Sequence, residues 1–217
     1  MLKPELSSQT IVLVGKFTPS ILHPSWFSNA GLIRKNQTDA AKISIFSYEI
    51  VKYSIEWLDF TAQLNRITLT TTQEAYFEPL RDLVLGTFSI LDQTPIQMLG
   101  INYQMHFIPS STLHWDDTEK KLRPPQSELT KLPLSRLESI KLSSVRPYNS
   151  YPGVFNFVAE PSAIFPDGIY ISSNDHYEVR PFEDTMGSHK ILDLIDSEWQ
   201  NSTKFLAEYL GNLLGTN

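Results

Sequence analysis

The sequence predicts an α+β fold in which two long amphipathic helices pack against an antiparallel sheet. Short apolar runs rich in β-branched residues are separated by tight turns, which favours antiparallel pairing of successive strands. Two longer segments, 76–91 and 191–213, repeat large apolar residues at steps of three and four, as one face of a helix requires. Each helix ends a run of strands. The chain is therefore predicted to be a single domain, 1–217, with candidate pseudo-repeated halves at 1–94 and 95–217.

The first half contains strands, one short helix and the first long helix. Residues 10–17 form an apolar strand, and residues 19–33 suit a short helix that begins at Pro24. Residues 34–41 are predicted to be a polar connection. The remaining predicted strands are 43–48, 51–54, 56–63 and 67–72, the last two forming a hairpin. The helix at 76–91 follows.

The second half begins with the longest predicted strand, 95–108, which is apolar on both faces and so suits the centre of a sheet. A proline-rich stretch, 109–133, is predicted to be a long loop, of the kind that often carries function. Residues 134–142 suit either a short helix or an edge strand. Two further strands, 154–160 and 168–173, precede the C-terminal helix.

Composition excludes several classes of protein. The chain of 217 residues has no cysteine, which excludes disulfides, thiolate metal ligands and a cysteine nucleophile. Its net charge of −6 disfavours nucleic acid as a partner. A basic segment with Lys131, Arg136, Lys141 and Arg146 is more simply a solvated surface. No run is apolar enough for a signal peptide or a membrane span, so we expect a soluble cytoplasmic protein without a membrane partner.

A candidate metal site lies between the long strand and the proline-rich stretch. His106 closes the strand, and His114, Asp116 and Asp117 follow within a short span. Imidazole and carboxylate groups together ligate zinc or manganese, so a divalent metal is the one cofactor that the sequence suggests. The alternative is a histidine at a strand end followed by a solvated acidic turn. No cofactor is expected in that case.

A candidate catalytic group lies in the sequence Asn174-Asp175-His176-Tyr177, which is predicted to follow a strand. Asp175 beside His176 suits a carboxylate that orients an imidazole as a general base. His106 would join them if the fold brought both histidines into one cleft. The alternative is a turn in which the asparagine and aspartate bond their own backbone.

Candidate partner-binding residues are Trp115, Arg123 and Tyr148. Tryptophan in a polar loop often marks a contact with another protein, because its large apolar surface is unfavourable in water. The alternative is that Trp115 folds back onto the body of the protein.

The order of these elements resembles a sporadically distributed bacterial family of uncharacterised proteins. The matching landmarks are the strand and turn at 12–19, the hairpin and tyrosine at 64–76, the strand at 100–105, and the strand and helix at 169–214. The family's strand motif is Gly-Leu-Arg-Tyr-x-Asn, and here Asn102 replaces the arginine and Met105 the asparagine. The resemblance implies an accessory component of mobile bacterial systems, with phage defence as the setting.

The sequence therefore favours a non-catalytic protein-interaction or accessory subunit. It would bind a partner protein through residues 109–133 and the sheet edges. One alternative is a metal-dependent hydrolase or nuclease that uses the histidines and aspartates above, so the enzyme question stays open. A second alternative is a peptide-binding, chaperone-like module with exposed apolar surface. Homo-oligomerisation is compatible with each of the three.

Overall fold

A computed structural model describes residues 3–109, 114–122, 136–145, 152–179 and 187–214. It confirms an α+β fold built on one antiparallel sheet. The nine strands of the described chain are β1 (Leu6–Gly15), β2 (Lys42–Phe46), β3 (Ile50–Ser54), β4 (Asp59–Gln63), β5 (Arg66–Thr71), β6 (Ile96–Phe107), β7 (Ile140–Val145), β8 (Gly153–Pro161) and β9 (Ile169–Glu178). Its helices are α1 (Pro24–Asn29), α2 (Lys35–Asp39), α3 (Phe77–Ile90), α4 (Trp115–Leu122) and α5 (His189–Leu214).

The sheet has the strand order β2-β3-β4-β5-β1-β6-β9-β8-β7. The first strand of each predicted half therefore lies at the centre, where β1 pairs with β6 in a register that places Ile11 opposite Ile101. In the first half, four consecutive strands (β2 to β5) then run back towards the central strand, and in the second half three strands (β7 to β9) do so. A helix follows each run, α3 in the first half and α5 in the second. Whether the halves are true repeats stays a prediction. Of the two long helices predicted, only α5, with 26 residues, is long within the described chain, because α3 has 14.

The helices α1, α3 and α5 lie on one face of the sheet. Aromatic pairs join the two layers: Phe27–Phe60, Phe77–Tyr103 and Phe157–Tyr209, with ring centroids 5.5, 6.2 and 4.7 Å apart. Side chains alternate along a strand, so every second residue of the central strands points into this layer. Ile11, Leu13 and Leu99 are accordingly fully buried there. We call the opposite side of the sheet the open face.

Several local predictions differ from the structure. Residues 34–41 contain the short helix α2 rather than only a polar connection. Residues 115–122, predicted to be loop, form α4, in which Asp116 and Asp117 lie in the first turn and Lys120 and Lys121 in the last. This charge order stabilises a helix through its dipole. Asn174 to Tyr177 lie within β9 and do not follow it as a turn. Of residues 134–142, predicted to be a short helix or an edge strand, only 140–142 lie in the edge strand β7, residues 136–139 have no regular structure, and residues 134 and 135 lie outside the described residues.

Candidate functional site

The open face is the side of the central strands that no described helix covers. Its side chains come from five neighbouring strands, and cross-strand pairing aligns them in rows. These side chains are Thr10, Val12, Thr68, Thr70, Met98, Asn102, Gln104, Asn156, Asn174 and His176, and all are half-buried or exposed. Most are neutral groups that donate or accept hydrogen bonds. The face is thus polar and carries little charge at its centre.

Three asparagines on adjacent strands form a hydrogen-bonded row across the open face. In this row, Asn156 Nδ2 donates to Asn174 Oδ1 over 3.2 Å, and Asn174 Nδ2 donates to Asn102 Oδ1. Asn102 Nδ2 completes the row by donating to the backbone oxygen of Thr10 over 3.2 Å. Each amide nitrogen has two hydrogens and uses one of them within the row. Because such a row fixes the orientation of each side chain, the second hydrogens form an ordered set of donors.

A depression of about 320 Å³ lies beside the asparagine row. Gly100 forms its floor, because an added Cβ there would lie 3.3 Å from Asn174 Nδ2 and 3.5 Å from Asn102 Nδ2. Arg66 and His176 lie at its rim. Within the described part of the chain, neither of these two side chains has a hydrogen bond or an ion pair. The depression can therefore offer carboxamide donors and acceptors, an arginine cation and an imidazole to one ligand.

The structure separates Asp175 from His176. They are neighbours on a strand, so their side chains point to opposite faces of the sheet. Asp175 is fully buried on the helix side, where the Tyr177 hydroxyl donates to its Oδ2 over 2.9 Å. His176 lies on the open face opposite Gly100. The Asp175 carboxylate cannot orient the His176 imidazole in this arrangement.

The two predicted catalytic histidines do not share a cleft. His106 also lies on the open face, but it is six positions along β6 from Gly100, the residue that pairs with His176. At about 3.3 Å per residue, the histidines are about 20 Å apart along the strands. They therefore cannot act on one substrate atom together.

His106 instead anchors the loop that follows β8. Its Nδ1 lies 2.9 Å from Ser162 Oγ, which accepts hydrogen bonds from the backbone N–H groups of Ile164 and Phe165. The Ser162 hydroxyl hydrogen is thus directed at His106 Nδ1, which places the imidazole hydrogen on Nε2. The ring also packs against Tyr170, with centroids 4.7 Å apart. Burial lowers the pKa of His106 below its usual value, so the neutral ring is favoured.

The other predicted metal ligands lie at the start of α4. His114 directly precedes the helix, Asp116 pairs with Arg136 over 3.1 Å, and Asp117 pairs with Lys120 over 3.1 Å. Over the ranges that the structure describes, no three histidine, aspartate or glutamate side chains are close enough to hold one metal ion. The predicted set of His106, His114, Asp116 and Asp117 is therefore not assembled as a metal centre here.

Trp115 folds back onto the body of the protein, which was the alternative to an exposed contact. Only 6% of its surface is exposed, and its Nε1 donates to the backbone oxygen of Leu137 over 3.2 Å. Glu119 accepts from the Leu137 backbone N–H over 2.9 Å, so α4 holds the chain that leads into β7. Arg123 and Tyr148 lie outside the described residues.

Sequence reasoning missed Gly100 and the asparagine row as a site. Asparagine is depleted in strand interiors, yet Asn102, Asn156 and Asn174 each lie inside a strand. Three asparagines at mid-strand positions are the signal that was present in the sequence. Their alignment depends on strand register, which local sequence does not supply.

No family model matches the chain, and a search among proteins of curated function also finds no match. Among the described residues, no helix is both long enough and apolar enough to span a membrane. Inference about function therefore rests on the geometry of this chain.

Proposed function

We propose that this chain is a non-catalytic protein-interaction subunit that binds a partner protein on its open face. The observation that carries this proposal is the asparagine row beside the Gly100 depression. Carboxamides donate and accept hydrogen bonds, so they match the peptide groups and polar side chains of another protein. The row is already ordered, so little side-chain entropy is lost when a partner binds.

The arrangement of the charged and titratable groups supports binding rather than catalysis. Asp175, His176 and His106 lie on different faces or far apart, as described above. The net charge of −6 opposes attraction to a nucleic acid backbone. A protein partner is the class that best fits a central surface with many neutral polar groups and an arginine, Arg66, that has no ion-pair partner among the described residues.

The wider setting of this proposal comes from the sequence. It comprises an accessory role in a bacterial phage-defence or mobile-element system, a cytoplasmic location and a chain of two pseudo-repeated halves. Strands β5 and β1 of the first half and β6, β9 and β8 of the second contribute to the open face. A partner that covers both the asparagine row and the depression would thus touch both halves.

Affinity enrichment from the native host, with a matched pair of variants, tests this proposal. Asn174→Lys places a bulky cation in the middle of the open face, whereas Asn201→Lys makes the same change on an exposed position of α5. We expect Asn174→Lys to abolish recovery of the partner and Asn201→Lys to retain it. Circular dichroism would verify that both variants are folded. Equal recovery of the same partner with Asn174→Lys would contradict the proposal.

Elemental analysis of the purified protein separates the hydrolase or nuclease alternative. Stoichiometric zinc or manganese that is lost in His106→Ala would favour that alternative, because the proposed interface does not require a metal ion. We expect the metal content to be unaffected by this substitution.

A further inference from the structure

Strand β2, at one end of the sheet, leaves apolar side chains in water. All five of its residues are exposed. Three of them are large and apolar, namely Ile43, Ile45 and Phe46, with 44%, 42% and 52% of their surface exposed. An edge strand also has unpaired backbone N–H and C=O groups along its outer side. Exposed apolar residues on such an edge mark a place where another strand can pair.

The helical layer ends before it reaches β2. Ile43 and Phe46 pair with Tyr53 and Val51, so they lie on the helix side of the sheet. Phe27 of α1 packs against Tyr53, with ring centroids 6.4 Å apart. Phe46 lies further out on β2, and the aromatic ring that it contacts within the described chain is that of His23, with ring centroids 5.1 Å apart. The outer edge of the helix side is therefore incompletely covered.

The opposite side of this edge is apolar as well. A register shift between Ile43 and Ile45 turns Ile45 to the open face, where it pairs with Lys52. The strand thus offers apolar contacts on both faces, as an added strand would require. The following turn is held by hydrogen bonds between Ser47 and Ile50, so the edge is already in its extended form.

We propose that β2 pairs with β2 of a second copy of this chain, antiparallel and about a two-fold axis. The register that places Ile43 opposite Phe46 of the second copy suits the apolar residues, because both lie on the helix side. The pairing occurs twice by symmetry and brings four apolar side chains together. Ile45 of each copy then lies near its symmetry mate on the open face. Two nine-stranded sheets join into one continuous sheet.

Charge favours this antiparallel arrangement. Lys42 lies at one end of β2, and Glu49 lies in the turn at the other end. Antiparallel pairing places each Lys42 beside the Glu49 end of the second copy, whereas parallel pairing aligns like charges. The two-fold arrangement uses the same edge on both copies and therefore closes as a dimer. Pairing of β2 with the other edge, β7, would continue into an open fibre.

Light scattering after size-exclusion chromatography tests the proposal with two matched variants. Phe46→Glu places a charge on the β2 edge, and Val145→Glu makes a comparable change on β7, where Val145 is 74% exposed. We expect the wild-type chain and Val145→Glu to be dimers at micromolar concentration. Phe46→Glu should raise the dissociation constant by about 100-fold or more. A wild-type monomer at high micromolar concentration, or a dimer insensitive to Phe46→Glu, would overturn the proposal.

Disulfide crosslinking tests the register, and the absence of native cysteine removes background. In the double variant Ile43→Cys/Phe46→Cys, the thiol at position 43 of one copy lies opposite the thiol at position 46 of the other copy. Their separation is that of directly opposed residues on paired strands. We expect a covalent dimer on a non-reducing gel. Leu142→Cys/Ser144→Cys places two thiols on the helix side of β7 and should stay monomeric. Equal crosslinking of the two double variants would contradict the pairing.

Charge reversal gives a third measurement that does not alter apolar surface. Lys42→Glu and Glu49→Lys should each raise the dissociation constant, by about tenfold if the ion pairs are only partly screened. The double variant restores opposite charges at both ends and should regain the wild-type dissociation constant. If the double variant is weaker than both single variants, the antiparallel pairing is wrong.

Discussion

Gln9 is a buried amide whose replacement should stabilise the protein. Its side chain is fully buried on the helix side of β1, and neither Oε1 nor Nε2 has a hydrogen-bond partner among the residues that the structure describes. Its two cross-strand neighbours are Thr71 and Tyr103. Thr71 Oγ1 accepts from the Gln73 backbone N–H over 3.3 Å, and the Tyr103 hydroxyl is bonded to Thr203 Oγ1 at 2.6 Å. Both of these hydroxyl oxygens therefore already take part in other hydrogen bonds.

Methionine matches glutamine in length and lacks the polar amide. A buried polar group without a partner costs about 1–3 kcal/mol. We therefore expect Gln9→Met to raise the free energy of unfolding by about 1–3 kcal/mol. At about 2.1 cal/mol/K per residue, the unfolding entropy of 217 residues is about 0.46 kcal/mol/K. The melting temperature should then rise by about 2–7 °C.

Urea unfolding followed by circular dichroism measures this change directly. Gln63→Met is a suitable control, because Gln63 is an exposed strand residue, and its effect should stay within about 0.5 kcal/mol. Gln9→Glu should strongly destabilise the protein, since it introduces a charge at a fully buried position. A loss of stability in Gln9→Met would refute the reasoning, because it would mean that the amide contributes favourable interactions.

Three further predictions follow from named contacts. Burial lowers the pKa of His106 from its usual value of 6.5, so this histidine binds a proton more tightly in the unfolded chain than in the folded protein. The free energy of unfolding should therefore fall as the pH drops below 6.5. Urea titrations on either side of that pH should show a smaller pH dependence for His106→Gln. Gly100→Ala should change the free energy of unfolding by less than about 1 kcal/mol, because its Cβ would lie 3.3 Å from Asn174 Nδ2 and requires that side chain to move by only a few tenths of an ångström. The added methyl group should nevertheless weaken partner binding, because it partly fills the depression. Trp199→Ala should lower the free energy of unfolding by about 3–5 kcal/mol, since Trp199 is nearly fully buried and its Nε1 donates to Glu78 Oε1 over 2.9 Å. Trp199→Phe should cause a smaller loss in the free energy of unfolding in the same assay.

Most elements of the described chain could be predicted from sequence because their signals are local. The helix α3 and the strand β6 follow from apolar periodicity within one window. The helix α4 was missed because its few apolar residues gave no periodic stripe. Its signal was instead electrostatic: acidic residues in the first turn and lysines in the last.

The candidate site could not be predicted because it depends on strand register. Asn174, Asp175 and His176 read as a turn, since asparagine and aspartate are common there. In the structure, alternation along β9 sends Asp175 to the core and its two neighbours to the open face. The same alternation aligns Asn174 with Asn102, a residue 72 positions away in sequence. No local pattern contains that pairing, so a catalytic dyad was inferred where the fold builds a carboxamide row.

The central pairing of β1 with β6 has a consequence for synthesis of the chain on the ribosome. Strands β1 to β5 emerge first and already form a connected ladder, with β1 as its last member. Until β6 has been translated, β1 presents an unpaired outer edge to solvent. We expect nascent chains that stop before residue 96 to be vulnerable to aggregation and to chaperone capture. Arrival of β6 would then convert this exposed margin into the interior of the finished sheet.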